Sequence, residues 1–123
     1  MYRLIAIAVA GAIGALLRFG VANGVHRFFG RDFPYGTLVV NVTGSVLIGY
    51  LFVVFLERSL LSDTMRIAVL VGLLGSFTTF STFSLETVNL AMSGNVARAS
   101  VNIVVSVVLC LFGTVAGMAL ARM

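Results

Sequence analysis

Thirteen consecutive residues hold most of the chemistry available to this chain: Gly72-Leu73-Leu74-Gly75-Ser76-Phe77-Thr78-Thr79-Phe80-Ser81-Thr82-Phe83-Ser84. Six hydroxyls, two glycines and three phenylalanines fall here, all within the uncharged stretch 67–85. Glycine and β-branched Thr78-Thr79 weaken a helix, so a break is expected at about 75–79. A break frees carbonyls from the turn before it and amides at the start of the helix after it. Carbonyls suit a cation such as Na⁺, and a helix N-terminus suits an anion. The alternative is a continuous helix whose hydroxyls bond back to its own carbonyls. Phe77, Phe80 and Phe83 follow at i, i+3, i+6 and would form one helical stripe. They either pack, or turn their positive ring edges toward an anion.

Other side chains could serve the same chemistry. Asn41 carries an amide able to donate two hydrogen bonds; it glues two helices together or lines a path. Asn102, Ser106 and Cys110 are spaced by four and share a helical face, again either a path or a hydrogen-bonded seam. Arg18 and Glu86 are ionisable groups within apolar stretches, where such groups are costly and usually paired or functional. They form either a salt bridge or a vestibule that concentrates anions. One His, one Cys and no paired carboxylates beside them give no catalytic arrangement, so no enzyme is expected. His26, alone near a helix end, reads as interfacial rather than as a ligand. No charge block points to a nucleic-acid partner.

The elements that position these residues follow from where charge is missing. The chain of 123 residues is 60% hydrophobic and 10% charged, with mean hydropathy +1.14, far from the composition of a soluble domain. Uncharged stretches of 24 residues (33–56), 19 (67–85) and 23 (99–121) each approach or exceed the ~20 needed to cross a bilayer. The first stretch is interrupted at Arg18 but regains length if continued to about His26. A secretory signal at the N-terminus is disfavoured, since the apolar pattern runs past Arg18 and three similar segments follow. The expectation is a single membrane domain, 1–123, of the all-α integral membrane class. It has four transmembrane helices, about 3–27, 34–57, 65–92 and 96–122, the third broken near its middle. Pro34 fits the first turn of the second helix, Ser62-Asp63-Thr64 a cap for the third, and Ser93-Gly94-Asn95 its end. A third helix starting near Met65 places Gly75 about 15 Å deep, the middle of a core ~30 Å thick. Asn41, roughly 10 Å from one surface, can meet Phe80 and Phe83.

All eight basic residues are arginine. Arg3, Arg58, Arg66 and Arg122 lie on one side of the membrane in this topology, Arg27, Arg31 and Arg98 on the other. Orientation follows the side richer in basic residues, and four against three hardly chooses. Either the span boundaries are off by a residue or two, or the protein inserts both ways and pairs as an antiparallel dimer. Gly20-x-x-x-Gly24 and Gly113-x-x-x-Gly117 have the spacing that brings membrane helices together.

Three motifs then carry a resemblance: Gly14-Ala15-x-x-Arg18-Phe19, Gly36-Thr37-Leu38-x-x-Asn41-x-x-Gly44-Ser45, and Gly75-x-x-Thr78-Thr79-Phe80-Ser81-Thr82-Phe83-Ser84. In order, spacing and span count the chain resembles the CrcB/Fluc fluoride channels of microbial membranes. The resemblance implies an antiparallel dual-topology homodimer in the bacterial inner membrane, with two pores carrying fluoride passively out of the cytoplasm and so limiting its toxicity. It implies that Phe80 and Phe83 form an aromatic box, that Asn41 donates beside it, and that Ser81 and Thr82 belong to a polar path. Glu86 and Arg18 would belong to a vestibule. The backbone carbonyls of Gly75 and Thr78 would hold a structural Na⁺ between subunits. Ser106 and Asn102 are the path residues implied on the fourth helix, where Cys110 replaces a hydroxyl. The competing class is a dual-topology, proton-coupled transporter of the small multidrug type, which relies on a carboxylate in its first span; here that span has Arg18 and none. A non-transporting scaffold would leave the hydroxyl-rich interruption without a purpose.

Overall fold

In the computed structural model, which describes residues 1–58 and 61–123, every regular element among the described residues is a helix. The helix α1 runs Tyr2–Phe29 and α2 Tyr35–Arg58; the third span divides into α3 (Asp63–Ile67), a π-helical segment (Ala68–Leu74), α4 (Gly75–Phe77) and α5 (Phe80–Met92); α6 is Val96–Arg122. Four of these units, Tyr2–Phe29, Tyr35–Arg58, Asp63–Met92 and Val96–Arg122, are long and apolar enough to cross a membrane. The third is interrupted at Thr78 and Thr79, both in extended backbone. This is the all-helical membrane architecture anticipated from the charge spacing, broken where the glycines and threonines weaken the helix.

Local chemistry sets the ends. The helix α1 stops at Gly30, whose φ of 81° is accessible to glycine, with its amide donating to the His26 carbonyl at 2.8 Å. Pro34 lies one residue before α2 rather than inside it, and its carbonyl accepts from the Leu38 amide at 3.2 Å. Ser62 caps α3 by accepting from the Met65 amide at 3.3 Å. After α5 the chain turns at Gly94 (φ 91°), and the Asn95 amide closes back on the Leu90 carbonyl at 2.9 Å.

Packing depends on close backbone approach. A methyl group on Gly117 would lie 2.9 Å from the Tyr50 amide nitrogen and collide with the Val46 carbonyl, so α2 and α6 meet backbone to backbone. On the other side α1 rests on the π segment, where a methyl group on Gly72 would stand 2.7 Å from the Ile7 carbonyl oxygen. The expected Gly113-x-x-x-Gly117 contact is therefore made within the chain. Gly20-x-x-x-Gly24 makes no such contact within the chain: nothing lies within 4 Å of where either side chain would begin, so these glycines face away from the chain's other helices. A small core of Val53, Val54, Phe55 and Ala121 closes one end. Gly14 is the buried residue of α1, and most large apolar side chains elsewhere point outward, the pattern of a molecule whose solvent is lipid.

Candidate functional site

The site is built on the break in the third span. In a continuous helix the Thr79 amide would bond the Gly75 carbonyl four residues back. Here it donates to Asn41 Oδ1 at 2.8 Å, while Asn41 Nδ2 donates to the Thr79 carbonyl at 3.0 Å. One side chain from α2 thus satisfies both polar groups of the residue at which the helix parts. That is the condition for irregular backbone to survive in a membrane interior. Thr78 completes the turn before it, both its amide and its Oγ1 donating to the Leu74 carbonyl at 3.1 Å. Thr79 Oγ1 starts the helix after it, accepting from the Thr82 amide at 3.2 Å and donating to Thr82 Oγ1 at 3.1 Å. Asn41 is accordingly a clamp on the break as well as a wall of the cavity beside it.

That cavity, about 290 Å³, is open on one side and lined by Asn41, Gly75, Thr78, Phe80, Phe83, Ser106 and Cys110 among others. The rings of Phe80 and Phe83 are 5.3 Å apart, tilted by 51°. Phe83 is 9% exposed and fixed by packing, whereas Phe80 is 76% exposed at the open side. Phe77 is a correction to the expected stripe: the extended residues 78–79 lie between it and Phe80, and it is buried in the fold. The carbonyl oxygens of Gly75 and Thr78 receive no backbone amide among the described residues, because the Thr79 and Thr82 amides have gone to side chains.

The fourth-helix stripe divides. Ser106 and Cys110 line the cavity. Asn102, only 2% exposed, turns away from it and donates to Thr87 Oγ1 at 2.8 Å, while accepting from Ser106 Oγ at 3.1 Å. Thr87 Oγ1 in turn donates to the Phe83 carbonyl at 2.7 Å. Asn102 therefore lies behind the cavity wall rather than on it, held by a partner, Thr87, that spacing within one helix could not reveal.

Arg18 and Glu86 are not paired; the ion pairs found among the described residues are Arg66–Asp63 at 3.0 Å and Arg122–Glu57 at 3.4 Å. Glu86 accepts a hydrogen bond from Thr37 Oγ1 and faces a second cavity of about 290 Å³ with His26 and Arg31. Arg18 lines a third, about 280 Å³, with Asn23, Thr37, Thr79 and Thr82. Thr79 borders both the first and the third, so the break is the partition between the aromatic cavity and the arginine one. Ser81 stands at its exposed edge, with Oγ 3.3 Å from Thr79 Oγ1. Sequence reasoning missed Thr37, although it precedes Asn41 by one helical turn and shares its face.

Residues 5–118 match the family described as "CrcB-like protein, Camphor Resistance (CrcB)". Among curated proteins, the chain is 54% identical over 119 residues to a protein of Methylococcus capsulatus named "Fluoride-specific ion channel FluC". That alignment covers 97% of this chain and 52% of the relative, so the chain spans about half the length of that protein. It is 48% identical over 122 residues to a protein of the same name from Geobacter sulfurreducens, covering 99% of this chain and 98% of the relative. A third of that name, from Magnetococcus marinus, is 46% identical over 117 residues, 95% of each chain. A multi-pass helical membrane protein, matched along nearly its whole length by that family, belongs to the CrcB family.

Proposed function

We propose that the chain is a passive fluoride channel of the bacterial inner membrane, exporting fluoride from the cytoplasm and so limiting its toxicity. The observation that carries the reading is the cavity at the break. Two tilted phenylalanine rings and the Asn41 amide converge there at a helix interruption, without a fixed positive charge on its walls. Fluoride is small and strongly hydrated, so a pore must replace its water with several donors. Ring edges, hydroxyls and an amide do this weakly enough for the ion to leave. The names of the relatives supply the identity of the ion. Ser81 and Thr82 extend the polar path along α5, and Arg18 and Glu86 belong to its approaches, Arg18 drawing anions in and Glu86 tempering the attraction.

The working unit in this reading is an antiparallel homodimer in which each copy inserts with the opposite orientation. Support comes from the near balance of arginines on the two sides and from the outward-facing open cavity. The carbonyls of Gly75 and Thr78 suit a structural Na⁺: they are hard oxygen donors that share a cavity and lack amide partners among the described residues. Bound there and shared with the second copy's pair, the ion would neutralise the carbonyl ends and fix the break. The proton-coupled transporter reading has no support: α1 carries Arg18 and no carboxylate, and the relatives are named as channels rather than as exchangers or enzymes.

The test is efflux from proteoliposomes loaded with fluoride or chloride and followed by ion-selective electrodes. Rapid electrogenic fluoride loss with chloride retained is the expected result. Retention of fluoride, or equal loss of both ions, rejects the proposal.

A further inference from the structure

Ser106 lines the cavity, but its proton does not face it. The hydrogen bonds behind the wall form a directed chain whose far end is fixed. The Phe83 carbonyl can only accept, so Thr87 Oγ1, 2.7 Å away, must donate to it. With its one proton committed, that hydroxyl must accept from its other neighbour. The Asn102 side chain therefore presents its NH₂ to Thr87 at 2.8 Å. This leaves Asn102 Oδ1 facing Ser106, whose hydroxyl donates to it at 3.1 Å. Asn102 is 2% exposed and Thr87 8%, so water cannot readily stand in for either partner. Ser106 accordingly turns lone pairs toward the cavity. An anion that takes a hydrogen bond from Ser106 must first pull its proton away from Asn102.

We propose that Asn102 is a positioning residue that sets the anion affinity of the pathway by holding the Ser106 proton out of the cavity. Thr87 fixes the direction in which Asn102 acts. The inference rests on the fluoride-channel reading above. It gives Asn102 a role opposite to that of a path donor: it weakens one site along the route and so favours release over retention.

Asn102→Leu keeps the branched outline of the side chain, removes the acceptor and leaves the Thr87–Phe83 bond in place. In fluoride currents recorded across planar bilayers, half-saturation should fall about fivefold, one neutral hydrogen bond's worth, and maximal current should fall because the ion leaves more slowly. Thr87→Val, which removes only the lock on the amide's direction, should shift half-saturation the same way by less. Thr87→Ser, which keeps the hydroxyl, should restore wild-type saturation. In a Ser106→Ala background neither Asn102→Leu nor Thr87→Val should move half-saturation. A purely structural role for Asn102 would shift both backgrounds alike, and that result overturns the inference, as does an unchanged or raised half-saturation in Asn102→Leu. Should Asn102→Leu fail to assemble, the Thr87→Val and Thr87→Ser pair decides alone by the same criteria. A wild-type protein that passes no fluoride current overturns the functional reading and this inference with it. A conducting wild type whose variants do not shift rejects the inference only.

Discussion

Asn41→Leu probes the break directly. Leucine matches asparagine in branching and heavy-atom count and removes both bonds to Thr79, at 2.8 and 3.0 Å. A buried amide and carbonyl left unpaired cost about 1–3 kcal/mol each, so a dry site would lose about 2–6 kcal/mol. The site is not fully dry. Asn41 borders a cavity of about 290 Å³, roomy beside the ~30 Å³ share of one water. Were water to replace both bonds freely, the loss would approach the ~0.6 kcal/mol typical of a polar contact between membrane helices, about 1.2 for the pair. Thr79 itself is only 8% exposed, which hinders water on the backbone side and places the expected loss between these limits, at about 2–3 kcal/mol. The local readout is amide hydrogen exchange of Thr79, followed by NMR in nanodiscs. Exchange there should accelerate about 30- to 150-fold, while amides in the middle of α6 keep wild-type rates. Asn41→Asp retains an acceptor for the amide but no donor for the carbonyl, and should accelerate exchange less. An Asn41→Leu protein with unchanged Thr79 exchange would refute the clamp.

Three further outcomes follow from the same geometry. Phe80→Ile and Phe83→Ile should each strongly reduce fluoride efflux from proteoliposomes while leaving a folded protein; wild-type flux in both would count against ring-edge conduction. Gly117→Ala forces a methyl group against the Val46 carbonyl and the Tyr50 amide and should lower thermal stability by about 1–3 kcal/mol, whereas Gly20→Ala, with nothing within 4 Å, should leave the packing of the four helices unchanged; equal losses in a melting assay would contradict the assigned packing. After Cys110→Ser, a cysteine added at the C-terminus should be labelled by membrane-impermeant reagent from both sides of the membrane; labelling from one side only would sink the dual-topology proposal.

The fold could be read from where charge is absent. A stretch of apolar residues between arginines and acids has few options in lipid beyond a helix, and the glycine and threonine cluster marked where one helix would fail. Depth arithmetic also brought Asn41 to the level of Phe80 and Phe83, and all three line one cavity. Other features lay beyond a single helix's periodicity. The π segment Ala68–Leu74 shifts the hydrogen-bond register where α1 crosses it, and that crossing is a tertiary fact. Phe77 fell off its stripe because a break cancels the periodicity that defined the stripe. Asn102 and Ser106 share a helical face, but only the position of Thr87 decides which of them meets the cavity. The expected topology puts Arg18 and Glu86 toward the same side of the membrane, yet Thr37 bonds the carboxylate and the arginine lines the third cavity with Thr79 and Thr82.

The open side of the aromatic cavity bears on assembly by a separate route from the arginine count. Lipid can cover Phe80, exposed though it is. It cannot satisfy the carbonyls of Gly75 and Thr78, because acyl chains offer no hydrogen bonds and each unsatisfied group there costs several kcal/mol. Protein or protein-enclosed water must therefore lie against this face. In this chain α1 already rests on the π segment, and α2 and α6 are engaged with each other, so the cover has to come from outside the four helices. A second copy in the opposite orientation brings its own broken span to the same depth. It would set carbonyl against carbonyl, where a shared cation removes the repulsion, and would give the donors lining each cavity a wall instead of lipid. In the proposed antiparallel pair, the same break would supply both the seam and the path.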